Sequence, residues 1–142
     1  MLIDVGLELR GKDGNEWFIY EFYIVPPGYI AIAKRYFCWR IKPPKSFVIL
    51  GHTIDSTEEP TLIGENKYEL LLKVFKEKRK EGVLEVSIAF GLWYPSLYII
   101  PYEKREVFEK IAIEKLGETA YYYSSIISYD KFLEILEETM NN

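Results

Sequence analysis

The sequence predicts an α+β fold, a single domain spanning 1–142 on a mainly antiparallel sheet, with an N-terminal four-strand meander and about three helices. Three observations carry this. The chain opens on strict alternation, Ile3, Val5, Leu7 and Leu9 against Asp4, Gly6, Glu8 and Arg10, the pattern of a half-buried strand. Its first turns are short and rich in Gly and Pro, so neighbouring strands pair antiparallel. Helical spacing with capping residues enters only later. Strands first, then helices mixed with strands, is the order of an α+β domain and not of a doubly wound one.

Element by element, the first strand ends in the turn Gly11-Lys12-Asp13-Gly14-Asn15. Trp17 to Val25 is a second strand, aromatic on both faces, broken by Pro26-Pro27-Gly28. A third, long strand is expected from Tyr29 to Ile41, ended by Pro43-Pro44, and a fourth over Phe47 to Ile54. Asp55 to Glu65 reads as a polar loop. Asn66 is placed as N-cap of a first helix, with Glu69 three residues on in a capping-box arrangement; Tyr68, Leu71, Leu72 and Phe75 form its apolar stripe and Gly82 ends it. Strands are expected over Val83 to Leu92, Ser96 to Ile100 and Thr119 to Ile127. A second helix runs from about Glu103 to Leu116, and Ser128 caps a last helix with Phe132, Leu133, Leu136 and Met140 on its inner face.

The bulk composition narrows the setting. The 142 residues contain no glutamine, one histidine (His52) and one cysteine (Cys38). Enrichment in Glu and Lys with loss of thermolabile Gln and Cys is the composition of a hyperthermophile, which points to an archaeal or archaeal-virus source. A lone cysteine excludes an intrachain disulfide and a Cys-based zinc site. No apolar run reaches the length of a membrane helix, and the N-terminus lacks a basic n-region, so the expected location is the cytoplasm, the host's if the gene is viral. The net charge of -4 and a pI near 5.2 exclude a general polyanion binder, leaving nucleic-acid contact to a local basic patch.

That patch is expected on the third strand. Its even positions carry Lys34, Tyr36, Cys38, Arg40 and Lys42, against Ala31, Ala33, Phe37, Trp39 and Ile41 on the odd side, with Arg35 the polar exception. Bases stack on aromatic faces while Lys and Arg follow phosphates, so Lys34, Tyr36, Arg40 and Lys42 are the candidate nucleic-acid-binding residues. A second basic run, Lys76-Glu77-Lys78-Arg79-Lys80, ends the first helix, where cations suit the helix dipole. It gains weight for nucleic acid if it lies on the same side as the first. Gly6 to Asp13 matches a phosphate-binding loop except at its last position, but it lies on an alternating strand and opens no helix.

Catalytic vocabulary is thin. No Gly-x-Ser-x-Gly elbow exists, and His52 would have to serve any His-dependent chemistry. Val83 to Ser87 followed by a helix resembles in outline the cores of restriction-type nucleases, which place Glu-x-Lys on that strand. Here Glu85 is followed at the lysine position by Ser87, and the upstream acid would be Asp55. The leading expectation is therefore a non-enzymatic binding or interaction protein. It needs no cofactor, and its expected partners are a second copy of itself or nucleic acid, not a membrane. The alternative is a metal-dependent, nuclease-like hydrolase using Asp55 and Glu85.

Overall fold

The computed structural model describes residues 4–38, 40–88, 99–117 and 125–142. Gly14 and Asn15 turn β1 (Asp4–Asp13) directly into β2 (Glu16–Val25), with Lys12 opposite Trp17 and Glu8 opposite Glu21. β3 (Tyr29–Tyr36) returns along β2 after the Pro26-Pro27-Gly28 turn. β4 (Lys45–Ile49) and β5 (His52–Ser56) form a hairpin of their own, and β6 (Thr61–Glu65) pairs with β3. α1 (Tyr68–Lys78) leads through a 3-10 turn at Arg79–Glu81 into β7 (Val83–Ile88), which lies on the far side of β1. α2 (Tyr102–Leu116), β8 (Ser125–Ser128) and α3 (Tyr129–Met140) complete the described chain. Among the described residues the main sheet has six antiparallel strands, in the order β6-β3-β2-β1-β7-β8, which places the chain in the α+β class.

Burial explains the aromatic second strand. Phe18, Tyr20 and Phe22 point from β2 toward the helices and join Leu9, Ile30 and Ile32 in one large core with Leu71, Phe75, Phe108, Phe132 and Leu136. Phe75 bridges sheet and helices, edge-on to Phe22 at 4.9 Å and to Phe132 at 5.1 Å. Each such ring contributes about 1.5–3 kcal/mol by leaving water. Two tyrosines tie α1 to α3 through polar tips: Tyr68 donates to the Leu136 carbonyl at 2.7 Å, and Tyr129 donates to that of Phe75. The opposite face of β2 and β3 is covered as well. Tyr23, Val25, Ala31 and Ala33 pack beneath Ile54 and Ile49 of the β4–β5 hairpin. The aromatic rings on both faces of β2 therefore mostly serve two cores, and do not by themselves require a partner.

Several expected boundaries shift for local reasons. β3 stops at Tyr36, not Ile41, because the Cys38 carbonyl accepts from the N–H groups of Ile41 and Lys42 and curls the chain. The fourth expected strand is a hairpin: Leu50 and Gly51 both take positive φ (49° and 78°), which closes the two-residue turn between Ile49 and His52. The meander is thus three strands long, and β6, inside the expected polar loop, takes the place beside β3. Asn66 does not cap α1; the N-cap is Lys67, without a side-chain cap bond. Ser128 does cap α3, accepting from the Lys131 N–H at 3.2 Å, and Gly82 closes the turn after α1 at φ 85°. Of the strand expected over Ser96 to Ile100, only Ile99 and Ile100 are described; both are buried and outside any strand. Residues 89–92 and 119–124, including Tyr121-Tyr122-Tyr123, lie outside the described residues.

Candidate nucleic-acid interface

The register of the strands sorts the four residues expected to bind nucleic acid. Side chains at even positions of β3 face the helices, alongside Phe18, Tyr20 and Phe22. Tyr36 is accordingly buried, edge-on to Phe18 at 6.1 Å, and donates to Asp13 at 2.9 Å. Its face is unavailable to a base. Lys34 runs its stem into the same layer; its ammonium sits 4.4 Å from the Phe18 centroid and 3.9 Å from Glu58. Arg40 and Lys42 fall in the turn after the strand. Arg40 is exposed, and Lys42 lies over the Tyr36 ring at 3.9 Å while pairing with Glu16 at 3.6 Å. The four residues share one end of the sheet, but they do not form one strand face.

The material for a stacking platform lies on the other face. There β1 presents Glu8, Arg10 and Lys12, β2 presents Trp17, Ile19 and Glu21, and β7 presents Glu85 opposite Arg10. Phe37, just past β3, is fixed beside Trp17 by a 3.0 Å bond from its N–H to the Trp17 carbonyl. The Arg10 guanidinium lies over both rings, 5.9 Å from Trp17 and 5.5 Å from Phe37, and the Lys12 ammonium is 5.1 Å from Trp17. Trp17 is half-buried and Phe37 is 43% exposed. Among the described residues no ion pair engages Lys12 or Arg40. The sequence holds the signal for this cluster in the polar alternation of β1. It becomes legible only once the tight turn fixes Lys12 opposite Trp17.

Carboxylates take over further along the same face. Glu21 is buried, with the Arg35 guanidinium 2.6 Å away and the Tyr23 hydroxyl donating to it at 2.5 Å. Glu8 is itself exposed, yet partial loss of water around its carboxyl group, and then the charge of Glu21, raises its pKa above the usual carboxylate value. Glu85 pairs with Arg10 at 3.8 Å. Asp55 is on the β4–β5 hairpin, accepting from Ser46 at 2.6 Å, so the acids of the hydrolase alternative stand on different sheets. Among the described residues, no three metal-ligating side chains converge.

The helix side carries a cleft of about 330 Å³ lined by Tyr20, Lys34, Glu58, Val74, Lys78 and Glu81. Lys78, from the second basic run, sits 4.4 Å from the Tyr20 centroid, and Lys34 sits 5.6 Å from the same ring. The two basic elements therefore meet at one end of the fold. In this cleft, however, Glu58 and Glu81 already neutralise them. Burial and the nearby Glu81 push the Tyr20 hydroxyl pKa up, so it stays a neutral donor. Among the described residues no helix is long and apolar enough to cross a membrane. No family model, curated protein or solved structure matches this chain.

Proposed function

We propose that this is a binding protein that holds single-stranded nucleic acid at the basic, aromatic end of its sheet. The observation carrying the reading is the group Arg10, Lys12, Trp17 and Phe37, two partly open rings with two cations laid over them on the sheet face opposite the described helices. Bases stack on such rings and on guanidinium planes in the same way, and every base offers a π-face. Lys12 and Arg40 follow the phosphates, while Lys42 stays over the Tyr36 ring and paired with Glu16. Lys34 and Tyr36 belong to the core in this reading and support the site from behind.

The chain's net negative charge keeps the interaction local, so binding is strongest at low salt and weakens steeply as salt rises. The test is a titration with single-stranded and duplex oligonucleotides at two salt concentrations. The expected result is single-strand binding, with a salt slope that drops by about two when Lys12 and Arg40 are both changed to Gln. No binding at low salt overturns the reading. Sedimentation run alongside reports whether a second copy of the chain occupies the face instead.

A further inference from the structure

We propose that Glu85 selects the base stacked on this face and that the base it favours is guanine; this rests on the nucleic-acid reading above. The Arg10 guanidinium is packed against the platform, 5.9 Å from the Trp17 centroid and 5.5 Å from that of Phe37, and its Nε is 3.8 Å from the Glu85 carboxylate. Platform and carboxylate are thus held together by strand register, since Arg10 and Glu85 are direct partners across β1 and β7. Glu85 is partly exposed, with 29% of its side chain open to solvent, beside the Arg10 guanidinium.

An unstacked base is read on its Watson–Crick edge. Guanine presents two adjacent donors there, N1–H and N2–H₂, matching the two oxygens of one carboxylate in a parallel pair of hydrogen bonds. Adenine and cytosine each place one amino donor beside a ring-nitrogen acceptor. Thymine and uracil flank their single N–H with two carbonyl oxygens, which a carboxylate repels.

The test uses thymidine oligonucleotides carrying one central guanine, adenine, cytosine or thymine, titrated against the full chain at low salt by tryptophan fluorescence. The guanine strand is expected to bind about tenfold more tightly than the all-thymidine strand. Glu85→Gln is expected to bring all four within about twofold of one another, and Glu85→Asp, which keeps the carboxylate, to leave guanine first. Equal binding of the four strands by the native chain overturns the selection while leaving nucleic-acid binding intact. A guanine preference that survives Glu85→Gln in full overturns the role of Glu85. If none of the strands binds, both readings fall.

Discussion

Gly11 is a residue whose role reverses between sequence and structure. In the sequence it completes a phosphate-loop lookalike; in the fold it is the point where β1 touches the end of the α1 turn. A Cβ there would lie 2.4 Å from the Gly82 carbonyl oxygen and 2.8 Å from the Phe18 ring, and both neighbours are held by backbone or core packing. Gly11→Ala is expected to cost about 1–3 kcal/mol in chemical denaturation, the range for overpacking. Lys34 makes a similar point. Its ammonium is spent on three rings and Glu58, so Lys34→Met is expected to leave the salt slope of oligonucleotide binding unchanged while Lys12→Gln lowers it by about one. Glu8 supplies a pH signature. Its pKa is raised in the folded state, so its ionised form is disfavoured there and the fold loses stability as pH rises through that value. Glu8→Gln is therefore expected to raise the melting temperature near neutral pH, with the gain shrinking as pH falls toward the ordinary carboxylate value.

Among elements, the β4–β5 hairpin decides the most. It turns a one-sided sheet into one buried on both faces of β2 and β3, with Ile54 fully buried against Tyr23 and Ala31. Ile54→Ala is expected to cost about 2–5 kcal/mol, as for other fully buried aliphatics. The tip is strained by a leucine in the left-handed region at φ 49°, where a branched side chain costs about 1–2 kcal/mol. Leu50→Asn is expected to raise stability by about 1 kcal/mol, read as a shift of the denaturation midpoint. This hairpin is also where the sequence misleads. Leu50-Gly51 lacks the Asn or Asp that signals such a turn, so Phe47 to Ile54 reads as one strand. By contrast, the first two strands with the tight turn between them, the stripe of α3 and the Ser128 cap are local patterns and read correctly. Which face of β3 is open was not legible: Ala31 and Ala33 on one side and Tyr36 on the other are all buried, and only the covering hairpin and helices determine that.

For the molecule as a whole, charge is distributed in short-range pairs. Lys115 meets both Glu134 and Glu138, Lys76 meets Glu137, and Arg79 meets Asp130, so three separate segments are pinned to α3. Single exposed pairs contribute little at room temperature, but a network of this kind gains weight with heat, in line with the composition. Among the described residues Lys12 carries no ion pair and lies across from Trp17, beside the ring of Phe37, and the exposed Arg40 follows in the turn after Phe37. The most direct test of that placement is titration of the native chain with a single-stranded oligonucleotide at low salt, following tryptophan emission against a Trp17→Phe control. The account predicts quenching that saturates, weakens with salt and is lost in the control. An unchanged emission spectrum with no bound oligonucleotide would contradict it.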